Sequence, residues 1–69
     1  MAEIKISLKA ARINAGMTQP QVAKALNKSV ATIQSYESGR TIPTWDTVQQ
    51  MTSLYGIDVD HLNFARTSV

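Results

Sequence analysis

At 69 residues, with 43% hydrophobic and 17% charged residues and a formal net charge of +2, the chain can build one small core and favours an anionic partner only mildly. It has no cysteine and a single histidine, so a disulfide framework and a Cys/His zinc site are excluded, and helix packing or dimerisation has to supply the stability. No apolar run approaches the roughly 20 residues that span a bilayer, and the N-terminus lacks the apolar core of a signal peptide, so the expectation is a cytoplasmic protein with no membrane partner.

Residues 1–6, MAEIKI, alternate too briefly to identify a strand and read as an arm, with Ile6 packing on the first helix. Ser7 is an N-cap, Leu8, Ala11 and Ala15 follow at helical steps, and Gly16 supplies a left-handed stop, which predicts a helix over about residues 8–15.

Residues 18–39, TQPQVAKALNKSVATIQSYESG, are the best specified stretch. Thr18 with Gln21 makes a capping box, Met17 with Val22 a hydrophobic staple, and Pro20 stands in the first turn, where its missing N–H costs nothing. A second helix is predicted over 19–26, with Val22, Ala23 and Leu26 inward and Asn27 as its left-handed end. Ser29 caps a third, 30–38, after so short a turn that the two helices have to cross steeply. Ile33 and Tyr36 give it a buried side, Val30, Ala31, Gln34 and Ser35 stand more outward, and Gly39 closes it. Two crossed helices of this kind offer a helix tip to a DNA groove.

Thr44 caps a fourth helix, 45–55, in which Trp45, Val48, Met51 and Tyr55 recur at three- and four-residue steps until Gly56. That periodicity makes Trp45 and Tyr36 core residues rather than base-stacking ones. Asp58 is a candidate cap for a short fifth helix, 59–64, carrying Leu62, and residues 65–69 read as a frayed end. Asp58 and Asp60 serve the dipole there. His61 has no partner at metal-ligand spacing, and the chain shows no phosphate loop, no nucleophile elbow and no acid–base pair. The expectation is a protein without enzymatic activity, cofactor or metal.

With these residues placed, the chain resembles the phage repressor and Cro-like helix-turn-helix family, also called the XRE family. The resemblance is carried by Gly16-Met17-Thr18-Gln19, Val22-Ala23, Leu26, Ser29, Ile33, Tyr36-Glu37 and Gly39-Arg40, then by Pro43, Val48, Met51, Tyr55-Gly56-Ile57 and Leu62. It implies an all-α, compact five-helix, lambda-repressor-like domain over residues 1–69.

The resemblance also implies site roles. Gln19 matches a glutamine that contacts backbone phosphate and braces the recognition helix, beside Thr18 at the same helix end. Ser29, Val30, Ala31, Thr32, Gln34 and Ser35 match the recognition helix whose first side chains meet base edges in the major groove of double-stranded DNA. Arg40 and Thr41 match the phosphate-touching loop beyond it, and Arg12 and Glu37 match a pair that ties the first helix to the third. Three positions depart from the pattern. Asn27 stands where glycine is usual. Lys28 replaces an apolar residue and adds a cation beside the groove, where Lys24 and Arg40 also favour phosphate. Val30 and Ala31 stand where long hydrogen-bonding side chains are common; they are suited to thymine methyl groups instead, which makes Gln34 the first choice for polar base readout.

Two functions follow. The first is a sequence-specific DNA-binding transcriptional regulator, repressor or Cro-like, encoded by a phage, prophage or plasmid, and dimeric through Leu62 and Phe64. In the alternative for those two residues, Leu62 closes the monomer core and Phe64 covers its edge. The second function is a protein-interaction module of the same fold, such as an anti-repressor or modulator of another regulator, or an antitoxin-like partner. Its motive is the small net charge with Val30 and Ala31 at the helix tip.

Overall fold

The structure, a computed structural model, describes residues 6–63. Along them run a short strand β1 (Ile6–Ser7), helices α1 (Leu8–Asn14), α2 (Gln19–Leu26), α3 (Val30–Ser38) and α4 (Trp45–Tyr55), a 3-10 turn (Val59–His61) and a second strand β2 (Leu62–Asn63).

Local chemistry sets the helix ends. Ser7, Thr18, Ser29 and Thr44 are all extended, and each side-chain oxygen accepts an N–H three residues on, from Ala10, Gln21, Thr32 and Thr47. At Thr18 the bond is reciprocated, because the Thr18 N–H donates to Gln21 Oε1 at 2.8 Å. The first three helices end alike. Gly16, Asn27 and Gly39 take left-handed φ values of 72°, 58° and 80°. The next N–H then reaches back five residues: Met17 to Arg12 at 3.2 Å, Lys28 to Ala23 at 2.8 Å and Arg40 to Ser35 at 3.0 Å.

The core takes Leu8 and Ala11 from α1, Val22, Ala23 and Leu26 from α2, Ile33 and Tyr36 from α3, Val48, Met51 and Tyr55 from α4, and Leu62. Each large apolar side chain among them contributes about 1.5–3 kcal/mol on burial. Ile6, Met17, Leu54 and Ile57 pack half-buried against this cluster.

The C-terminal part departs from the predicted five-helix layout. Among the described residues there are four α-helices, and the predicted fifth is a single 3-10 turn over Val59–His61 whose Asp58 side chain makes no capping bond. Helix does not continue because Leu62 and Asn63 are extended and pair in parallel with Ile6 and Ser7, Ile6 opposite Leu62. Ser7 thus serves both a strand and the cap of α1.

Two side chains are also placed differently. Leu62 is 3% exposed in the monomer core, so it is not available as a dimer contact and fills the closing role instead. Trp45, expected in the core, is 58% exposed. Helical side chains lean toward the helix N-terminus, so a residue at the first position overhangs the helix start, where no preceding turn covers it. Thr47 is buried on α4 instead, its hydroxyl 3.1 Å from that of Thr44. Phe64, together with residues 1–5 and 65–69 for which an arm and a frayed end were expected, lies outside the described residues.

Candidate nucleic-acid interface

Helices α2 and α3 are joined by Asn27, Lys28 and Ser29 alone. The left-handed Asn27 reverses the chain within one residue, and Ser29 starts the next helix at once. Ile33, with no exposed surface, and Tyr36 face the core, so the opposite side of α3 is presented outward. There Ala31 and Gln34 are exposed, with Thr32 and Ser35 half-buried beside them. Val30 does not stand free at the tip, because it packs half-buried against the core.

A chain of hydrogen bonds holds this helix against α1 and α2. Arg12 Nε donates to Glu37 Oε2 at 2.7 Å and Arg12 Nη2 to Glu37 Oε1 at 3.3 Å, while Arg12 Nη1 donates to the Met17 carbonyl at 3.0 Å. The two side chains are only 11% and 5% exposed. The hydrogen bond to Glu37 raises the Arg12 pKa above its ordinary value against the opposing effect of burial. Gln19 Nε2 then donates to Glu37 Oε1 at 3.0 Å, and Gln34 Nε2 donates to Gln19 Oε1 at 3.3 Å. The Arg12–Glu37 pair implied by the resemblance is therefore present. The Gln19 bond to Glu37 is of the bracing kind that the resemblance implies, whereas the link on to Gln34 has no signature in the sequence, because those partners stand 15 residues apart.

At the tip of α3 the polar groups bond to one another. Ser29 Oγ accepts the Thr32 N–H at 3.1 Å and lies 2.9 Å from Thr32 Oγ1. Beyond them the surface is shaped by Ala31 and Ser35, which line two shallow hollows. One, of about 230 Å³, is completed by Thr32, Tyr36 and Thr41, and the other, of about 240 Å³, by Gln34, Ser38 and Arg40. Ala31, Ser35, Thr41 and Arg40, predicted from two different segments, are thus brought together. Thr18 and Gln19 stand at the start of α2, exposed and half-buried.

Charge follows the same division. Between residues 18 and 41 the charged residues are Lys24, Lys28, Glu37 and Arg40. The one carboxylate is withdrawn against Arg12, whereas Lys24 and Arg40 are exposed and Lys28 is half-buried. Outside the α2–α3 unit, Ile42 joins Trp45 as a large exposed apolar residue, at 54%.

Residues 6–64 match the helix-turn-helix domain family. The chain belongs to that family. The helix-turn-helix domain accounts for the tight α2–α3 junction and extends over the two short strands that frame the helices. The chain is also similar to multiprotein-bridging factor 1c of Arabidopsis thaliana, with 29% identity over 56 residues, covering 81% of this chain and 38% of that protein. The chain therefore spans well under half the length of the curated relative it matches. No solved structure matches it. Among the described residues, no helix is long and apolar enough to cross a membrane.

Proposed function

We propose that this helix-turn-helix domain is a sequence-specific DNA-binding transcriptional regulator that inserts α3 into the major groove and carries out no chemistry of its own. The observation that carries the reading is the charge arrangement on the α2–α3 unit. Lys24 and Arg40 are exposed and Lys28 is half-buried, while the one carboxylate of the unit is withdrawn on Arg12. A surface built to neutralise phosphate has this distribution even when the whole chain is only mildly basic. In this reading Thr18 and Gln19 meet phosphate at the start of α2, with Lys28, Arg40 and Thr41 on either side. Ser29, Ala31, Thr32 and Ser35 face base edges. Ser29 and Thr32 share one hydroxyl hydrogen bond, so a single O–H of that pair is left for a base, and the methyl groups of Ala31 and Thr32 beside it suit thymine.

The finer proposal is a repressor or Cro-like regulator of phage, prophage or plasmid origin, acting in the cytoplasm. It binds a two-fold operator with two recognition helices one DNA turn apart. Selection from a randomised duplex pool, followed by titration over a salt series, tests this. Affinity falls steeply with salt, with a logarithmic slope of about −2 to −3 per bound chain for the three exposed or half-exposed cations. Arg40→Ala weakens every duplex alike and reduces that slope by about one. Replacing single dT by dU in the selected site, which removes only a methyl group, lowers affinity about three- to fivefold at one or two positions. Salt-insensitive binding without sequence preference would overturn the reading.

A second reading, a protein-interaction module, is favoured by the exposed Ile42 and Trp45 and by the similarity to a multiprotein-bridging factor. Trp45 is the only tryptophan, so its fluorescence reports directly on that surface. A blue shift on adding a candidate regulator protein, with no response to DNA, would favour this second reading.

A further inference from the structure

The hollow between α3 and the segment that follows it encloses about 230 Å³ and is lined by Ala31, Thr32, Ser35, Tyr36 and Thr41. Ala31 and Thr41 are exposed, Thr32 and Ser35 are half-buried and Tyr36 belongs to the core, so the hollow opens on the outward face of α3. No charged or amide side chain lines it. Every polar side chain there carries a hydroxyl, and Ala31, Thr32 and Thr41 bring methyl groups. The neighbouring hollow differs, because Arg40 in its lining carries only donors and so separates an acceptor from a donor.

That composition limits what the first hollow can distinguish. A hydroxyl turns either to donate or to accept. In the major groove thymine presents the O4 acceptor where cytosine presents the N4 amino donor, and thymine adds the C5-methyl group. Hydroxyls serve either polar group, so the methyl is the part of a pyrimidine edge that this lining can tell from its absence. A methyl group on C5 of cytosine occupies the same place in the groove. We propose that the hollow takes the C5-methyl group of a pyrimidine whichever base carries it, so that methylation of cytosine at this position strengthens binding by the factor that separates thymine from uracil. The inference rests on the DNA-binding reading above. It extends the ligand from thymine to C5-methylated cytosine, and it makes cytosine methylation a mark that the domain accepts.

The test uses the selected duplex at the position where replacing dT by dU weakens binding. Duplexes differing there alone carry dT or dU opposite dA, and C5-methylated dC or plain dC opposite dG. Each comparison keeps its purine, so the ratio within it isolates the methyl group. Both ratios are expected at about three- to fivefold, the value of one buried methyl. The salt slope is the same for all of them, because no charge changes. Equal binding of the two dC duplexes, or weaker binding of the methylated one, overturns the proposal while selective, salt-dependent binding keeps the DNA reading intact. So does the absence of any position sensitive to dU. Failure of the chain to bind any duplex overturns the DNA reading itself and this proposal with it. Ala31→Gly removes one wall of the hollow and is expected to lower both ratios together; ratios left unchanged in a folded variant place the methyl elsewhere and refute the assignment. A further measurement needs no substitution. A nuclear Overhauser contact between the Ala31 methyl and the pyrimidine C5-methyl is expected in the dT complex and in the methylated dC complex, and contacts to other residues alone would overturn the proposal.

Discussion

Tyr55 closes α4 with a hydroxyl that is buried and, among the described residues, has no hydrogen-bond partner. Burial is the main reason its pKa rises from 10.0 to about 12, with the Glu37 charge adding to it and Arg12 opposing. The unfolded phenol loses its proton first, so the unfolded state binds fewer protons between these values and stability falls as pH rises. Stability is therefore level below pH 10 and declines from there toward pH 12, more gently than the roughly 1.36 kcal/mol per unit of a fully enclosed group because the side chain is only partly shielded from solvent. Tyr55→Phe is expected to raise stability at neutral pH by about 1 kcal/mol, since it removes an unpaired buried polar group. It should also flatten the alkaline decline. Denaturant unfolding at pH 8, 10 and 11 measures both, and a variant that declines as steeply as the original would refute the assignment. The sequence placed Tyr55 in the core through its spacing from Met51. It contained no hint of the unpaired oxygen, because that depends on how α4 is set against Arg12 of α1 and Glu37 of α3.

At the scale of elements, almost everything that bounds the helices was legible. Ser7, Thr18, Ser29 and Thr44 cap the helices they were expected to cap, because capping involves atoms three residues apart. Asn27 takes the left-handed conformation expected of it, at φ 58°. That position accepts glycine more readily than any residue with a Cβ. Asn27→Gly should leave stability within about 0.5 kcal/mol, whereas Asn27→Ala should cost about 1 kcal/mol. Equal thermal midpoints for the two variants would show that the turn is not the constraint. The exposure of Trp45 and the 3-10 turn in place of a fifth helix were not legible, and for related reasons. Periodicity identifies a stripe but not where the neighbouring elements stop covering it. Nor can it register that Leu62 and Asn63 have a strand to pair with at the other end of the chain.

For the whole molecule, the β1–β2 pairing joins the two ends of the described chain and completes the core with Leu62. Leu62→Ala is therefore expected to cost the monomer about 2–4 kcal/mol as a cavity mutation, with a loss independent of protein concentration. A loss that shrinks as concentration rises would return Leu62 to an interface between copies. The division of labour at the α2–α3 face is likewise a property of the assembled domain. Carboxylate withdrawal on Arg12 leaves a cationic surface on a chain whose net charge is only +2.

The amino-acid sequence by itself determined the order and limits of the four α-helices, the tight α2–α3 turn, most of the core and the Arg12–Glu37 pair that the family resemblance implied. These depend on short-range caps, stops and periodicity, or on a pattern of residues already distinctive along the chain. Tertiary structure alone decided that Leu62 belongs to a strand and Trp45 to the surface, that Val30 leans on the core, and that Gln34 donates one amide N–H to Gln19. Each of those outcomes turns on groups brought together from separate helices or from opposite ends of the chain. Local propensity carries no information about such distances.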